Sequence, residues 1–369
     1  MLGAMVVPAS LRPRVLRPRG LGPRVLRSQV LRPRAPGTLP AGAPPTSGPH
    51  EAAIAAALAD PATLPPLDPS RPPWPGREVA SGGVTLHVRE TPGPDGCRAV
   101  YVHGLGGSAK NWTDLAALLG TRAAGTAVDL PGFGRSRPPA GFDFTPAAHA
   151  DALLCFLAGR NEPVHLLGNS FGGAIALSLA ARRPELVRTL TLVSPAMPDR
   201  RPDPRRMADV RLALALIPGR IGDRARAGLA AVPPRVRAEQ VVQVCFGDPT
   251  RVPEHRLVEA AEDITFRSGL AWAQEAGERT ARGLVASWWW GASPWATAAR
   301  VQAPTLVVWG ERDRLVSPRL AARTAAAIPG ARLLMLPGVG HVAQIEAADT
   351  VARAVAALWD RETKSARSA

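Results

Sequence analysis

The sequence predicts an α/β protein built on a mostly parallel, doubly wound sheet. Three observations carry this prediction. From residue 77 onward, short runs rich in Val, Leu and Thr alternate with longer helical stretches, which is the order of a doubly wound sheet. Several of the short runs are apolar throughout, as in strands that are covered on both faces. The alternation lapses only between residues 195 and 300, where helical sequence interrupted by proline indicates an insertion.

Strands and helices alternate on both sides of this insertion. The predicted strands are Val84–Arg89, Ala99–His103, Thr126–Asp129, Val164–Leu167, Thr189–Val193, Thr305–Trp309 and Arg332–Leu336. The predicted helices are Trp112–Leu119, Pro146–Ala158, Phe171–Ala181, Pro318–Ala327 and Ala347–Trp359. The longest apolar run is the third of these helices, and it is too short for a membrane span. We therefore expect a buried helix there and no membrane-spanning segment.

The chain divides into a leader, a core and an insertion. Residues 1–75 form an Arg/Pro-rich leader that buries too little apolar surface to offset its ordering entropy, so we predict disorder with one short helix, Glu51–Ala59. Residues 76–195 and 300–362 form the predicted core, and residues 196–299 a helical cap. A separate helical domain is the alternative for the cap, but strand-like sequence resumes directly after it, which favours an insertion.

The charge of the chain bears on its partners. The 369 residues carry a formal net charge of +15. Eight arginines and no acidic residue lie in residues 1–50, which leaves +7 spread singly over the rest. This dispersed charge differs from the basic stripe that follows a phosphate backbone. We expect no nucleic-acid partner; a basic leader that binds nucleic acid or a membrane is the alternative.

The number and spacing of the cysteines indicate whether the chain binds a metal and in which cellular compartment it lies. Cys97, Cys155 and Cys245 are too few and too scattered for a disulfide framework or a zinc site. The first residues lack the basic and then apolar order of a secretory signal. We therefore predict a cytoplasmic protein with no bound metal.

A Gly-x-Ser-x-Gly motif marks the candidate nucleophile. Ser170 lies at its centre, between a buried strand and an apolar helix, with Gly168 and Gly172 on either side. Such a turn holds the serine in a strained conformation with its hydroxyl projecting outward, and the glycines permit close approach of the chain. The alternative is a small-residue turn whose serine has no chemical role.

A second glycine-rich turn, His103 to Ser108, follows another buried strand. Acyl transfer requires two donors for the tetrahedral oxyanion, and we predict the backbone N–H groups of Leu105 and Phe171. The turn lacks both the Lys-Ser/Thr ending of a P-loop and the G-x-G-x-x-G spacing, which argues against a phosphate cradle. We expect His103 to hold the turn rather than to act as a base.

His341 is the predicted general base among seven histidines. It lies in the loop Gly338–Val342 after the last predicted strand, whereas the others lie in the leader, in strands or in predicted helices. A loop at the carboxyl edge of the sheet reaches the serine hydroxyl. Asp313, which follows the preceding strand, is the predicted acid because its carboxylate would fix the imidazole tautomer. Asp199, after another strand, is the alternative acid.

Together these motifs resemble the α/β-hydrolase superfamily. The resemblance extends from about Val84 to Trp359 and includes the segment Asp129–Ser136, which reads DLPGFGRS. The order of the three candidate residues along the chain, serine, aspartate and then histidine, matches the order of the triad on that sheet. The resemblance implies an α/β-hydrolase fold with a cap inserted where the helical insertion lies. It also implies a serine hydrolase, esterase-like or lipase-like, that needs no cofactor.

The resemblance implies the class of enzyme more firmly than the substrate. Cap-bearing epoxide hydrolases and haloalkane dehalogenases use an aspartate nucleophile, so Ser170 argues against both. Asn169 is similar to the residue before the serine of C–C bond hydrolases, but Leu105 and its glycines do not reproduce their Ser-Gly-x-Gly loop. The Trp-rich stretch Trp288–Trp295 favours a small hydrophobic ester. A C–C bond hydrolase, a perhydrolase, an acyltransferase and a non-catalytic ligand-binding homologue are the alternatives.

Overall fold

An eight-stranded sheet forms the centre of the computed structural model, which describes residues 58–160, 162–199, 220–290 and 293–368. The strands are β1 (Gly76–Ser81), β2 (Val84–Thr91), β3 (Arg98–Val102), β4 (Ala124–Val128), β5 (Val164–Asn169), β6 (Val187–Val193), β7 (Thr305–Gly310) and β8 (Arg332–Leu336). Their order across the sheet is β1-β2-β4-β3-β5-β6-β7-β8. The pairs β1/β2 and β2/β4 are antiparallel and the remaining pairs are parallel. The predicted mostly parallel sheet is confirmed.

Helices follow the strands in the predicted alternation. Within the described ranges they are α1 (Thr113–Leu119), α2 (Pro146–Ala158), α3 (Phe171–Arg182), α4 (Arg220–Ala230), α5 (Pro234–Cys245), α6 (Glu254–Ser268), α7 (Ala273–Trp290), α8 (Pro294–Ala298), α9 (Leu320–Ala327), α10 (Ala343–Glu346) and α11 (Ala348–Ser368). Helices α4 to α8 come between β6 and β7, where the sequence predicts an insertion. We call them the helical insertion. No helix of the described ranges has the length and apolar character that a membrane span requires.

Both faces of the sheet are covered by apolar side chains. In β7, Val307 and Trp309 pack into one core cluster while Leu306 and Val308 pack into the other, because successive side chains of a strand point to opposite faces. Helices α2, α3 and α9 contribute to the first cluster, and α1 and α11 contribute to the second. This double cover is the reason that the strands read as continuous apolar runs in the sequence.

The structure differs from the sequence prediction at the edge of the leader. Leu64 is buried in the cluster that α1 and α11 cover, and the indole N–H of Trp74 donates to a carbonyl of α1. Residues 58–75 therefore pack on the core, because these two side chains supply apolar surface that the average composition of the leader conceals. The prediction of disorder for residues 1–57, with most of the helix Glu51–Ala59, lies outside the described residues.

Candidate active site

Ser170 occupies a sharp turn between β5 and α3. Its backbone has φ 52° and ψ −115°, a left-handed conformation that is strained for a residue with a side chain. A Cβ atom at Gly168 would lie 2.4 Å from the carbonyl oxygen of Gly172, and one at Gly172 would lie 2.3 Å from that of Val102. Both positions therefore require glycine. The turn presents the serine at the carboxyl end of a central strand.

Asp313 and His341 form a buried pair at the same edge of the sheet. Asp313 is fully buried, and His341 is 4% exposed. His341 Nδ1 donates to Asp313 Oδ2 over 2.9 Å. The other carboxylate oxygen accepts from the backbone N–H groups of Leu315 and Val316, at 2.8 and 2.9 Å. A carboxylate held in this way orients the imidazole and leaves its Nε2 available for proton transfer.

Asn169 connects the histidine loop to the serine turn. Its Nδ2 donates both to the carbonyl oxygen of His341 and to that of Val193, each over 3.1 Å. Ser170, the next residue, is thereby joined to the histidine loop through the backbone. Among the described residues no hydrogen bond joins Ser170 Oγ directly to the imidazole. The structure thus brings Asp313 and His341 into contact. Ser170 directly follows Asn169, the residue that holds the histidine loop.

The glycine-rich turn after β3 lies beside the serine. A Cβ at Gly104 would come within 3.2 Å of Ser170 Cβ. Burial lowers the pKa of His103, and this neutral ring donates from Nδ1 to its neighbour's carbonyl oxygen and accepts at Nε2 from a backbone N–H, so it holds the turn. Among the described residues the backbone N–H groups of Leu105 and Phe171 make no hydrogen bond. These two N–H groups are the predicted oxyanion donors.

Asp199, the alternative acid, pairs with an arginine and not with the imidazole of His341. Both carboxylate oxygens of Asp199 accept from Arg319 Nη2, at 2.8 and 2.7 Å. Asp313 is in contact with His341 and Asp199 is paired with an arginine, so the geometry separates the two aspartates that the sequence left open.

A second buried histidine–aspartate pair lies elsewhere in the sheet. His87 Nδ1 and Asp129 Oδ2 are 2.8 Å apart. Asp129 also accepts from the backbone N–H groups of Ala109 and Arg135, at 2.6 and 2.9 Å. Burial raises the pKa of this carboxyl, but the hydrogen bonds from His87 and from the backbone outweigh burial, so the net pKa of Asp129 is below its ordinary value. The pair fixes the DLPGFGRS segment against β2.

Two further buried histidines pack against aromatic rings. His149 packs edge-on against Phe171 with ring centroids 5.3 Å apart, and His165 stacks on Trp359 at 4.2 Å. Burial lowers the pKa of each imidazole to about 3, so both rings are neutral near pH 7. Each has a hydroxyl as its side-chain hydrogen-bond partner, Thr280 for the first and a threonine of β6 for the second.

The sequence as a whole agrees with this geometry. Residues 100–348 match the sequence model of a protein family described as the alpha/beta hydrolase fold, which is more than half of the chain. The chain belongs to the α/β-hydrolase family. The predicted fold class is therefore confirmed.

Relatives of this α/β-hydrolase include lipases. Lipase 1 of Psychrobacter immobilis is 28% identical over 286 residues, which are 74% of this chain and 80% of that protein. The dihydrolipoyllysine-residue acetyltransferase component of the acetoin cleaving system of Pseudomonas putida is 29% identical over 278 residues. The match covers 73% of this chain but 65% of that relative, so the chain spans less than two thirds of its length.

A solved structure shares the fold. The 2-hydroxy-6-oxo-6-phenylhexa-2,4-dienoate hydrolase from Rhodococcus sp. strain RHA1 superposes with a TM-score of 0.65 and 23% sequence identity, over 78% of this chain and 98% of that one. C–C bond hydrolases are thus among the structural neighbours of this α/β-hydrolase. At this identity the likeness concerns the fold alone.

The helical insertion of this α/β-hydrolase holds the glycine-rich turn after β3 through polar contacts that the sequence analysis missed. Arg267 Nη1 donates to the carbonyl oxygen of Gly106 over 2.6 Å. The Asp263 carboxylate accepts from Lys110 Nζ at 2.5 Å and from Ser108 Oγ at 3.3 Å. The partners are more than 150 positions apart in the sequence, so no local motif signals them.

Cys245 lies close to the acid–histidine pair. Its carbonyl oxygen accepts from the backbone N–H of His341 over 2.6 Å. Burial, reinforced by the negative charge of Asp313, raises the pKa of the Cys245 thiol to about 12. The thiol stays protonated near pH 7 and does not compete with the serine as a nucleophile. Across the described ranges no group of three or more His, Cys, Asp or Glu side chains is arranged to hold a metal ion.

Proposed function

We propose that this α/β-hydrolase cleaves an acyl bond of a small hydrophobic ester, with Ser170 as nucleophile, His341 as general base and Asp313 as the acid that orients it. One observation carries the proposal: the buried hydrogen bond of 2.9 Å between Asp313 and His341. The loop of His341 is hydrogen-bonded to Asn169, the residue next to a strained serine. A serine, a base and a carboxylate that orients the base are the requirements of nucleophilic acyl transfer.

The first half of the proposed reaction forms an acyl-enzyme. Ser170 Oγ attacks the carbonyl carbon of the ester while His341 Nε2 takes the hydroxyl proton. The oxyanion accepts hydrogen bonds from the free N–H groups of Leu105 and Phe171, and the N-terminus of α3 adds favourable electrostatics. The tetrahedral intermediate then collapses as the imidazolium returns the proton to the leaving alcohol. Asp313 stabilises the imidazolium in both steps.

The second half releases the acid. A water molecule gives a proton to His341 and attacks the acyl carbon. The same N–H groups hold the second oxyanion, and its collapse breaks the bond to Ser170 Oγ, which regains the proton. The reaction balances without a cofactor.

The proposal of an ester substrate rests mainly on the relatives and less on the tryptophans of the helical insertion. Lipase 1 of Psychrobacter immobilis supports an ester bond by its name. The Trp-rich stretch contributes less than the sequence suggested, because Trp295 packs against the core with Arg323 over its ring, and Trp289 is 70% exposed. Asn169, the residue that favoured a C–C bond hydrolase, has its amide nitrogen committed to backbone carbonyls. The helical insertion as a cap and the cytoplasmic location stay predictions.

The decisive experiment is labelling with a fluorophosphonate probe alongside hydrolysis of p-nitrophenyl butyrate. Wild type is expected to be labelled and to turn over, whereas Ser170→Ala does neither because the attacking oxygen is gone. The matched control is Ser194→Ala, since Ser194 is a buried serine with φ 44° at the end of the neighbouring strand. Its labelling is expected to equal that of wild type.

Two results would change the proposal in different ways. Equal labelling of wild type and Ser170→Ala would remove the nucleophile. Labelling of wild type without ester hydrolysis, combined with cleavage of a meta-cleavage diketone in the same screen, would keep the nucleophile and replace the ester by a C–C bond.

A further inference from the structure

The carboxylate of Glu346 lies where two backbone segments meet. Glu346 ends the short helix α10, five residues after His341. Its Oε2 accepts from the backbone N–H of Gly340 at 2.7 Å and from that of Gly247 at 2.9 Å. Its Oε1 accepts from the backbone N–H of Asp248 at 2.9 Å. One charged group thus receives three hydrogen bonds, and bonds to an ionised acceptor are stronger than those between neutral groups.

The segments that Glu346 joins have different origins. Gly340 immediately precedes the histidine, whereas Gly247 and Asp248 follow helix α5 of the helical insertion. The two stretches run so close together that a Cβ at Gly247 would lie 2.2 Å from the carbonyl oxygen of Gly338, and one at Gly340 would lie 2.4 Å from that of Cys245. Neither stretch has room for a side chain at these glycines. The contact is therefore made by backbone alone.

His341 is held at its backbone N–H, at its carbonyl oxygen and at Nδ1 of its ring. The N–H of His341 donates to Cys245 and its carbonyl oxygen accepts from Asn169. Its ring donates to Asp313. Glu346 holds the residue before it and, at the same time, the insertion backbone against which the loop rests. Loss of the carboxylate would free both sides of this contact together.

We propose that Glu346 is a positioning residue, which fixes the His341 backbone against the end of α5 so that the imidazole keeps the geometry that proton transfer requires. The inference rests on the proposed function of His341 as the general base. Glu346 touches neither substrate nor the reacting atoms. It acts through the loop, and it makes the end of α5 part of the support of the catalytic group.

The test compares Glu346→Gln with a matched control, Asp248→Asn. Glutamine keeps the size of the side chain, but its NH₂ group meets a backbone N–H where an acceptor is needed. Asp248 lies in the same segment, and its carboxylate caps the turn that follows it and pairs with Arg251. Rates are measured on p-nitrophenyl butyrate and divided by the active sites titrated with the fluorophosphonate, so that misfolded protein does not enter kcat.

We expect kcat of Glu346→Gln to fall by about 10²-fold, the cost of a displacement on the order of 1 Å at a catalytic group, with KM nearly unchanged. Glu346→Asp, which keeps the charge on a shorter arm, is expected to recover part of kcat, and Asp248→Asn to match wild type. Unchanged kcat per active site in Glu346→Gln, with only a lower Tm, would assign Glu346 to stability and overturn the proposal. So would an equal loss of kcat in Asp248→Asn.

A second readout is independent of turnover. The proton shared by His341 Nδ1 and Asp313 is followed by proton NMR and assigned by its loss in Asp313→Asn. In Glu346→Gln this resonance is expected to shift or to exchange faster with water, and in Asp248→Asn to stay unchanged. An unaltered resonance in both variants would contradict the positioning role. If wild type hydrolysed no ester but Glu346→Gln still altered the resonance, the proposed function would fail and the positioning role would be supported.

Discussion

Two buried histidine–aspartate pairs lie in the same sheet and differ little in their own geometry. The Nδ1 to Oδ2 distance is 2.8 Å for His87 and Asp129 and 2.9 Å for His341 and Asp313. Each carboxylate also accepts two backbone N–H groups, and each imidazole is less than a tenth exposed. A search for buried histidine–aspartate pairs alone would return both.

The pairs differ at the opposite side of the ring. A Cβ at Gly76 would lie 2.1 Å from Nε2 of His87, so strand β1 covers that nitrogen with backbone. His341 instead lies in a loop beyond β8 that is tied to the residue before Ser170. A carboxylate that orients an imidazole is therefore insufficient for catalysis. The surroundings of Nε2 distinguish the structural pair, His87 and Asp129, from the candidate catalytic pair that contains His341.

The largest expected effect comes from removing the charge of Asp313. Asp313→Asn is expected to lower kcat by about 10⁴-fold, because the imidazole loses both its tautomer and the charge that stabilises its protonated form. Hydrolysis of p-nitrophenyl butyrate per folded protein measures the loss.

Asp129→Asn is the control on the structural pair. It is expected to keep kcat within about threefold and to lower the free energy of unfolding by about 3 kcal/mol, the scale for breaking a buried pair. Urea unfolding monitored by tryptophan fluorescence measures that loss. A fall in kcat as large as that of Asp313→Asn, with stability preserved, would erase the distinction between the pairs.

A methyl group at Gly76 tests the cover over the structural pair. Gly76→Ala is expected to cost about 1–3 kcal/mol of unfolding free energy, since the new carbon displaces a ring that Asp129 holds in place. Ester hydrolysis per folded protein should be unaffected. The same substitution in a His87→Ala background should cost much less, which a double-mutant cycle measures as a coupling energy. Equal losses of unfolding free energy in both backgrounds would show that the strain does not arise from contact with His87.

The smallest expected effect, counted per pH unit, concerns histidines with no carboxylate partner among their side-chain hydrogen bonds. The pKa values of His149 and His165 are about 3 in the fold, below the value of about 6.5 in an unfolded chain. As pH falls below 6.5 the unfolded state binds these protons first, so stability is lost towards pH 3, by up to about 1.4 kcal/mol per pH unit for each ring. Urea midpoints from pH 6.5 to 4.5 should fall less steeply for His149→Phe. An unchanged slope would contradict this account.

Much of the fold was predictable because its signals are local. The apolar runs of β3, β5 and β7 and the helix that begins at Phe171 follow from periodicity and from the glycines around Ser170. The strand β1 was not predicted, because its half-exposed sequence carries one valine among polar residues. Residues 58–75 were assigned to the leader because composition averages hide two anchoring side chains.

The candidate residues were also local signals, whereas their supports were not. Ser170, Asp313 and His341 each follow a strand, and parallel strands bring their carboxyl ends to one edge. The contacts that hold the candidate site join Arg267 to the glycine-rich turn after β3 and Glu346 to the insertion, over separations of 161 and 99 positions. Both side chains bind backbone groups. Every residue carries such groups, so no sequence pattern marks the partners.

The two hydrogen bonds of Asn169 have a consequence for how the enzyme is made. One of them spans 172 positions, from the middle of the chain to the loop that follows the last strand. With the roles proposed above, a chain emerging from the ribosome carries Ser170 without its base for much of its synthesis, and activity is expected only once the loop after β8 has joined the edge of the sheet.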